Sequence, residues 1–361
     1  MRWPGRTAHV IACRVVEPMS SGPLPDWCAP VARVASVAYG LGARWRSARF
    51  DRSGGVRVER PVISVGNIVA GGTGKSPVVR WVCSACIDAG VRPLIAMRGY
   101  RARHGRSDEA SEHMAALDGV PVVANPDRAP AIAHAIRKDP SIGVVVLDDG
   151  FQHRRVARDL DIVLVDATRP CLDDRLLPFG WQRERARALA RATAVVVTHA
   201  SRVDASLAAQ IRAHHGKEPL AWCDHAWSSV DLMQPGAHAS RTASHAGVSW
   251  LAGKRLALWA GIARPELIRQ QAEASGATIV AMPVLRDHAH YSASAVRRLG
   301  VEARDAGAEA ILMTGKDWVK VAPLSGGLAL PAAVVRLSLQ FCAGEDQLRQ
   351  QVVSAARSRV P

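Results

Sequence analysis

Apolar runs of strand length alternate with helix-length patterned segments through the middle of the chain, beginning at Pro61-Val62-Ile63-Ser64-Val65. Residues 77–89 then predict a helix, with Pro77 tolerated in its first turn and Gly90 closing it. Strands are expected at 93–97, 121–124, 143–147, 161–165 and 194–198, with helices running to about Leu117 and over 129–138. This order predicts a mostly parallel sheet covered by helices on both faces, completed by the strand at 194–198. A polar, weakly patterned region from about Trp222 to Gly253 marks a boundary. Beyond it a second αβ unit is expected, with strands at 255–259, 278–282 and 310–313 and a helix from about 265 to 275. The chain thus divides into an N-terminal segment over 21–60, a body over 61–225 and a smaller α/β module over 226–361.

The first strand runs into Gly66-Asn67-Ile68-Val69-Ala70-Gly71-Gly72-Thr73-Gly74-Lys75-Ser76, ahead of the expected helix. A strand that breaks into a glycine-rich turn and opens a helix leaves backbone N–H groups converging on one anion. Val69 to Ser76 therefore form a candidate nucleoside triphosphate cradle. Lys75 reaches the β- and γ-phosphates, and the Ser76 hydroxyl is a ligand for Mg²⁺. The spacing departs from the strict phosphate-loop pattern, which has glycine where this chain has Val69, and fits G-G-x-G-K-[ST] instead. The run 143–147 ends in Asp148-Asp149-Gly150. Acids at the carboxyl end of a buried strand lie in the crevice where open α/β sheets bind ligands, so Asp148 and Asp149 are candidate holders of Mg²⁺ or its water shell.

Charge adds a partner class. Lys and Arg outnumber Asp and Glu 47 to 32, a net charge of +15, which points to an anionic partner. Aromatic residues make up 5% of the chain and are not interleaved with basic ones as in single-strand binders, so a nucleic-acid partner is not expected. No obligate protein partner is evident. The seven cysteines are scattered, which argues against a disulfide framework. Cys83-x-x-Cys86 falls on the helix after the loop, where packing explains it better than metal binding.

Residues 27–50 are apolar at first and then basic through Arg44, Arg46 and Arg49. The apolar part is shorter than the roughly 20 residues of a spanning helix, and Arg33 interrupts it. Trp27, Tyr39 and Trp45 suit a headgroup layer, so a helix lying in the interface of an anionic membrane is expected. Residues 1–20 show no clear period, and a secretory signal is not expected there. A start at Met19, leaving 1–18 as a mis-called extension, stays open.

Several segments together resemble the tetraacyldisaccharide 4'-kinase family of lipid A biosynthesis. They are G-N-I-V-A-G-G-T-G-K-S-P at 66–77, R-G-Y at 98–100, D-E at 108–109 and L-D-D-G-F-Q-H-R-R-V-A-R-D at 147–159. Further on come L-L-P-F-G-W-Q-R-E at 176–184, G-I-A-R-P at 261–265, D-H-A-H-Y at 287–291 and T-G-K-D-W-V-K at 314–320. The resemblance implies a P-loop NTPase-type fold whose smaller domain closes over the nucleotide. It implies transfer of the γ-phosphate of ATP, with Mg²⁺, to the 4'-hydroxyl of an acylated glucosamine disaccharide lipid. The implied setting is the cytoplasmic face of the bacterial inner membrane. Asp108 and His288 become the dyad that activates the acceptor hydroxyl, with Lys75 offsetting charge on the transferring group. Lys316 and Asp317 become candidates for the adenine side, and Arg98, Tyr100, Gln152 and His153 for the substrate. Three positions depart from the family pattern: Ser107, Ala110 and Gly315.

Two other classes compete. A GTPase-like switch reads guanine through Lys at the position held here by Gly315, and a nucleic-acid-binding ATPase has only the net charge in its favour.

Overall fold

A computed structural model of the chain describes residues 23–71, 73–99, 108–117, 119–236, 244–262, 265–285 and 291–359, with the backbone alone at 26, 53, 108, 109 and 115. Helix α1 (Ala29–Ser53) leads into β1 (Val62–Asn67), α2 (Lys75–Asp88), β2 (Pro93–Met97) and α3 (Asp108–Ala116). Then come β3 (Val122–Ala124), α4 (Arg128–Lys138), β4 (Val144–Asp148), β5 (Leu160–Asp166), β6 (Ala194–Thr198) and α5 (Ala205–His215). The chain continues through β7 (Ala221–Met233), β8 (Ser244–Gly247), β9 (Arg255–Trp259), α6 (Pro265–Ala274), β10 (Thr278–Ala281) and α7 (Ala293–Asp305). It ends with β11 (Ala310–Thr314), α8 (Gly315–Val321), β12 (Ala332–Ala343) and α9 (Glu345–Arg357).

Among the described residues, twelve strands join one sheet in the order β10-β9-β11-β12-β7-β6-β5-β1-β4-β2-β3, with β8 beside β7. Pairing is parallel except between β7 and β12 and between β7 and β8. Strands β1, β2, β4 and β6 are buried along their whole length, as continuous apolar runs in a doubly covered sheet must be. Alternate residues feed opposite cores. Ile63 and Val65 meet Val78, Val79 and Val82 of α2 and Leu348 and Val352 of α9. Val62 and Val145 meet Ile132 and Ile136 of α4 on the other face. Each large side chain so buried contributes roughly 1.5–3 kcal/mol relative to exposure. Cys83 and Cys86 lie in the first of these cores and serve packing.

The sheet does not stop at β6. The region read as a weakly patterned boundary contains β7, a strand of 13 residues, and residue 226 lies inside it. Its polar positions escape an apolar-run search because their partners come from elsewhere. Buried Asp231 accepts from His245 Nδ1 of β8 at 2.6 Å and also holds Arg336 of β12.

Helix α1 turns an unusual face outward. Small residues Ala32, Ser36 and Gly40 are buried, and a Cβ on Gly40 would stand 2.9 Å from Leu176. Arg154 donates to the Ser47 carbonyl at 3.0 Å and pairs with Asp51, holding the basic end of the helix to the body. The opposite side leaves Val31, Val34, Val37, Leu41 and Trp45 exposed, with Trp27 just ahead of the helix. At 100° per residue the five positions within α1 fall in one stripe. No helix among the described residues is long and apolar enough to cross a membrane.

Candidate functional site

The carboxyl ends of β1 and β4, the first turn of α2 and the loop after β5 meet at one place. Gly74 caps α2 in the left-handed region (φ 73°), and no side chain bonds into the cap. The first N–H groups of a helix lack intrahelical acceptors, and its dipole favours negative charge there. The start of α2 is thus open to an anion, with Lys75 and half-buried Ser76 in its first turn. The loop is braced from beneath. Asn67 Nδ2 donates to Thr73 Oγ1 at 2.7 Å, Thr198 Oγ1 donates to the Thr73 carbonyl at 3.0 Å, and Gln152 Nε2 donates to the Asn67 carbonyl at 2.7 Å. Gln152, expected toward substrate, has its amide nitrogen committed to the loop's support. Ala70 N–H is engaged as well, donating to the Trp181 carbonyl at 2.7 Å, and Val69 bridges to Gln182. Of the two remaining cradle residues, Gly71 is exposed with φ 119°, and Gly72 lies outside the described residues.

Of the two acids after β4, Asp149 faces the loop. Its backbone is left-handed (φ 51°), which swings the side chain to 3.6 Å from Lys75 Nζ and 2.7 Å from Arg183 Nη1. Burial pushes the Asp149 carboxyl up, but Lys75 and Arg183 outweigh it and hold the group below the usual carboxylate range. Its Oδ1 is buried and accepts no hydrogen bond. Buried Asp148 has its Oδ2 2.9 Å from His113 Nε2 on α3, which leaves Oδ1 as its second oxygen at the end of β4. The donor set suits Mg²⁺, which keeps several waters and binds through one or two carboxylates plus phosphate oxygens. Among the described residues no cluster of three or more His, Cys, Asp or Glu forms a cage of its own.

Cations ring the same end of the sheet. Arg128 Nη1 donates to the Asp149 carbonyl at 3.3 Å. Burial lowers the Arg128 pKa, and repulsion from Arg98, at the end of β2, adds to that against the pull of Asp149 and Asp148. Burial, with Arg128, Arg158 and Arg155 nearby, lowers His153 to about 4, so its imidazole is neutral. On the other flank His225 of β7 packs against the loop: a Cβ at Gly74 would stand 2.2 Å from its Cε1. Burial and neighbouring His199 bring His225 to about 4 as well, and the two rings meet edge to face at 4.5 Å.

In the second module Asp317 is fully buried. It accepts from Gly261 N–H at 3.0 Å, Tyr291 OH at 3.1 Å and Thr314 Oγ1 at 2.7 Å. The carboxylate thereby knots the ends of β9 and β11 to Tyr291, while Lys316 is exposed beside it. Helix α8, which carries both residues, packs against α3, which begins at Asp108. The backbone thus brings the two candidate ends of the crevice together. The side chain of Asp108, and all of Tyr100 and His288, lie outside the described residues.

Sequence reasoning assigned no role to His113, Arg128, Arg183 or His225. Arg183 stood in the quoted 176–184 segment, and a cation there was readable as an anion contact. His113 and His225 carry no local signal, because only tertiary packing sets them against Asp148 and Gly74.

Sheet order, phosphate-type loop and acid-tipped β4 define a phosphate-loop α/β protein. The sequence profile of the LpxK family, tetraacyldisaccharide-1-P 4'-kinase, matches residues 28–357, and the chain belongs to this family. The tetraacyldisaccharide 4'-kinase of Geobacter metallireducens is 36% identical over 329 residues, which cover 85% of this chain and 93% of the relative. That of Syntrophus aciditrophicus is 36% identical over 330 residues, covering 85% and 88%. Among solved structures, the "apo" form of LpxK from Aquifex aeolicus in complex with ATP superposes with a TM-score of 0.68 at 23% identity. It covers 91% of this chain and 98% of that one, and shows that the fold is shared.

Proposed function

We propose that this protein transfers the γ-phosphate of ATP to the 4'-hydroxyl of a tetraacylated glucosamine disaccharide 1-phosphate, working at the cytoplasmic face of the bacterial inner membrane. The observation that carries the proposal is the uncapped start of α2, with Lys75, Asp149 and Arg183 converging beside it. Phosphoryl transfer asks little covalent chemistry of a protein and depends on positioning and charge. The α2 N-terminus, Lys75 and Arg183 offset charge on the transferring group. Asp148, Asp149 and Ser76 would hold Mg²⁺ or its water shell, which when bound neutralises phosphate charge. Asp108, at the head of α3, accepts the acceptor proton together with His288. Lys316 meets the adenine side, and Asp317 fixes the loop that presents it. The unit from β9 to α8 closes over the nucleotide, with the α3–α8 contact as the seam. The outward stripe of α1 lies in the lipid headgroup layer and keeps the site at the surface from which the acceptor is drawn.

Incubation of the purified protein with γ-labelled ATP, Mg²⁺ and acylated disaccharide in detergent tests the proposal. Label should enter the lipid, and Lys75→Ala should slow its entry at least about a hundredfold, the scale of losing one transition-state charge contact. An unlabelled lipid, or a variant as fast as the parent protein, would refute it.

A further inference from the structure

We infer that His113 is a positioning residue for the metal at this site, holding the Asp148 carboxylate and the head of α3 as one unit. The inference rests on the kinase reading above. A carboxylate only accepts hydrogen bonds, so His113 carries its proton on Nε2 and donates it to Asp148 Oδ2 across 2.9 Å. Both side chains are buried, and His113 Nδ1 has no hydrogen-bond partner. An ordinary core histidine has both ring nitrogens satisfied. This one is committed through a single bond to the acid that ends β4, next to Asp149. Fixing Oδ2 sets the plane of the carboxylate and turns Oδ1 to one direction. Mg²⁺ demands near-ideal octahedral geometry, so a carboxylate that swivels holds it, or its water shell, less well.

The same bond places α3. One residue earlier, Glu112 takes a 2.9 Å ion pair from Arg80 of α2, the helix that opens at the phosphate loop. Adjacent residues of α3 are therefore pinned to the loop helix and to the metal-side strand. Asp108 begins the same helix five residues before His113. At about 1.5 Å per residue, that puts the acceptor end roughly 7.5 Å along a rigid rod from its anchor.

The test compares His113→Leu, which keeps bulk without a donor, with His113→Gln, whose amide N–H has about the reach of Nε2. A fluorescent ATP analogue is titrated into each protein with Mg²⁺ and with EDTA, and the ratio of the two dissociation constants reads the metal contact without turnover. His113→Leu should lose about 10- to 100-fold of the Mg²⁺-dependent tightening, the range typical of groups that orient metal ligands. His113→Gln should keep most of it, and EDTA-state binding should match in all three proteins. Equal Mg²⁺-dependent tightening in all three would overturn the inference. So would an equal loss in both variants, or a loss that appears in EDTA, since either marks His113 as packing alone. If His113→Leu does not fold, His113→Asn, too short to reach Asp148, takes its place. An unsubstituted protein that binds no ATP analogue would overturn the kinase reading itself, whereas a normal parent with unaffected variants removes only the role of His113.

Discussion

His153 and His225 are kept neutral by their surroundings, and that neutrality has a measurable consequence for the fold. Each has a pKa lowered by burial to about 4, against an ordinary value near 6.5 in the unfolded chain. Between those values the unfolded chain binds protons that the folded one refuses, so folding stability falls as pH drops through the window from about 6.5 to about 4. Above 6.5 the penalty is absent; below 4 it is complete. For His153 the guanidinium groups of Arg128, Arg158 and Arg155 act in the same direction as burial. Denaturant midpoints at pH 7 and pH 5 should therefore show the parent protein losing more stability than His153→Gln, because glutamine has no proton to gain. Carboxylates present in both proteins cancel in the comparison. Parallel losses would mean that the imidazole is freely solvated.

At the scale of elements, α1 shows how a helix can be built for two surfaces. Its docking side uses Ala32, Ser36 and Gly40, so the backbone sits close to Leu176, and its other side carries the large apolar residues. Val34 and Val37 are 73% and 62% exposed, so replacing both with Asp removes nothing from the core. Such a variant should melt within about 0.5 kcal/mol of the parent, as surface changes do. It should nevertheless partition far less onto vesicles containing anionic lipid, by at least about tenfold for two charges brought to the interface. Co-sedimentation decides the matter; unchanged binding would detach the stripe from the membrane role. The sequence made elements like this legible where the pattern was self-contained. The expected strands 93–97, 194–198 and 255–259 coincide with β2, β6 and β9, which are largely apolar because both faces are covered along most of their length. Strand β7 was illegible for the opposite reason: Asp224, His225, Ser228 and Asp231 break its apolar period, and the groups that satisfy Asp231 lie in β8 and β12. The site divides along the same line. Lys75 and Asp149 were readable from contiguous motifs, whereas His113 and His225 gain meaning only from what the fold sets beside them.

Over the whole molecule, the antiparallel pairing of β7 with β12 is where the N-terminal body and the C-terminal strands become one sheet. Helix α9 crosses back from β12 to pack with α2, so the last helix of the chain supports the helix that opens at the phosphate loop. Asp231 is the charged group at this junction. It is fully buried, and its two oxygens serve Arg336 and His245. Its partners are less enclosed: the Arg336 side chain is 29% exposed and that of His245 74%, so both keep access to water when the acid is removed, and hydrogen bonds to a charged group are worth about 1.5–3 kcal/mol. Asp231→Ala should therefore lower the unfolding free energy by about 1.5–3 kcal/mol in denaturant titrations. Asp231→Leu combined with Arg336→Met should recover most of the loss, because the apolar pair refills the volume and carries no charge to desolvate. The contrast between single and double variants is the decisive reading. If water reaches the pair well enough to screen it, the single change costs under about 1 kcal/mol, as exposed pairs do, and the double change recovers nothing. In that case the junction is held by the β7–β12 backbone ladder and its apolar neighbours alone, and Asp231 contributes only the register of the pairing.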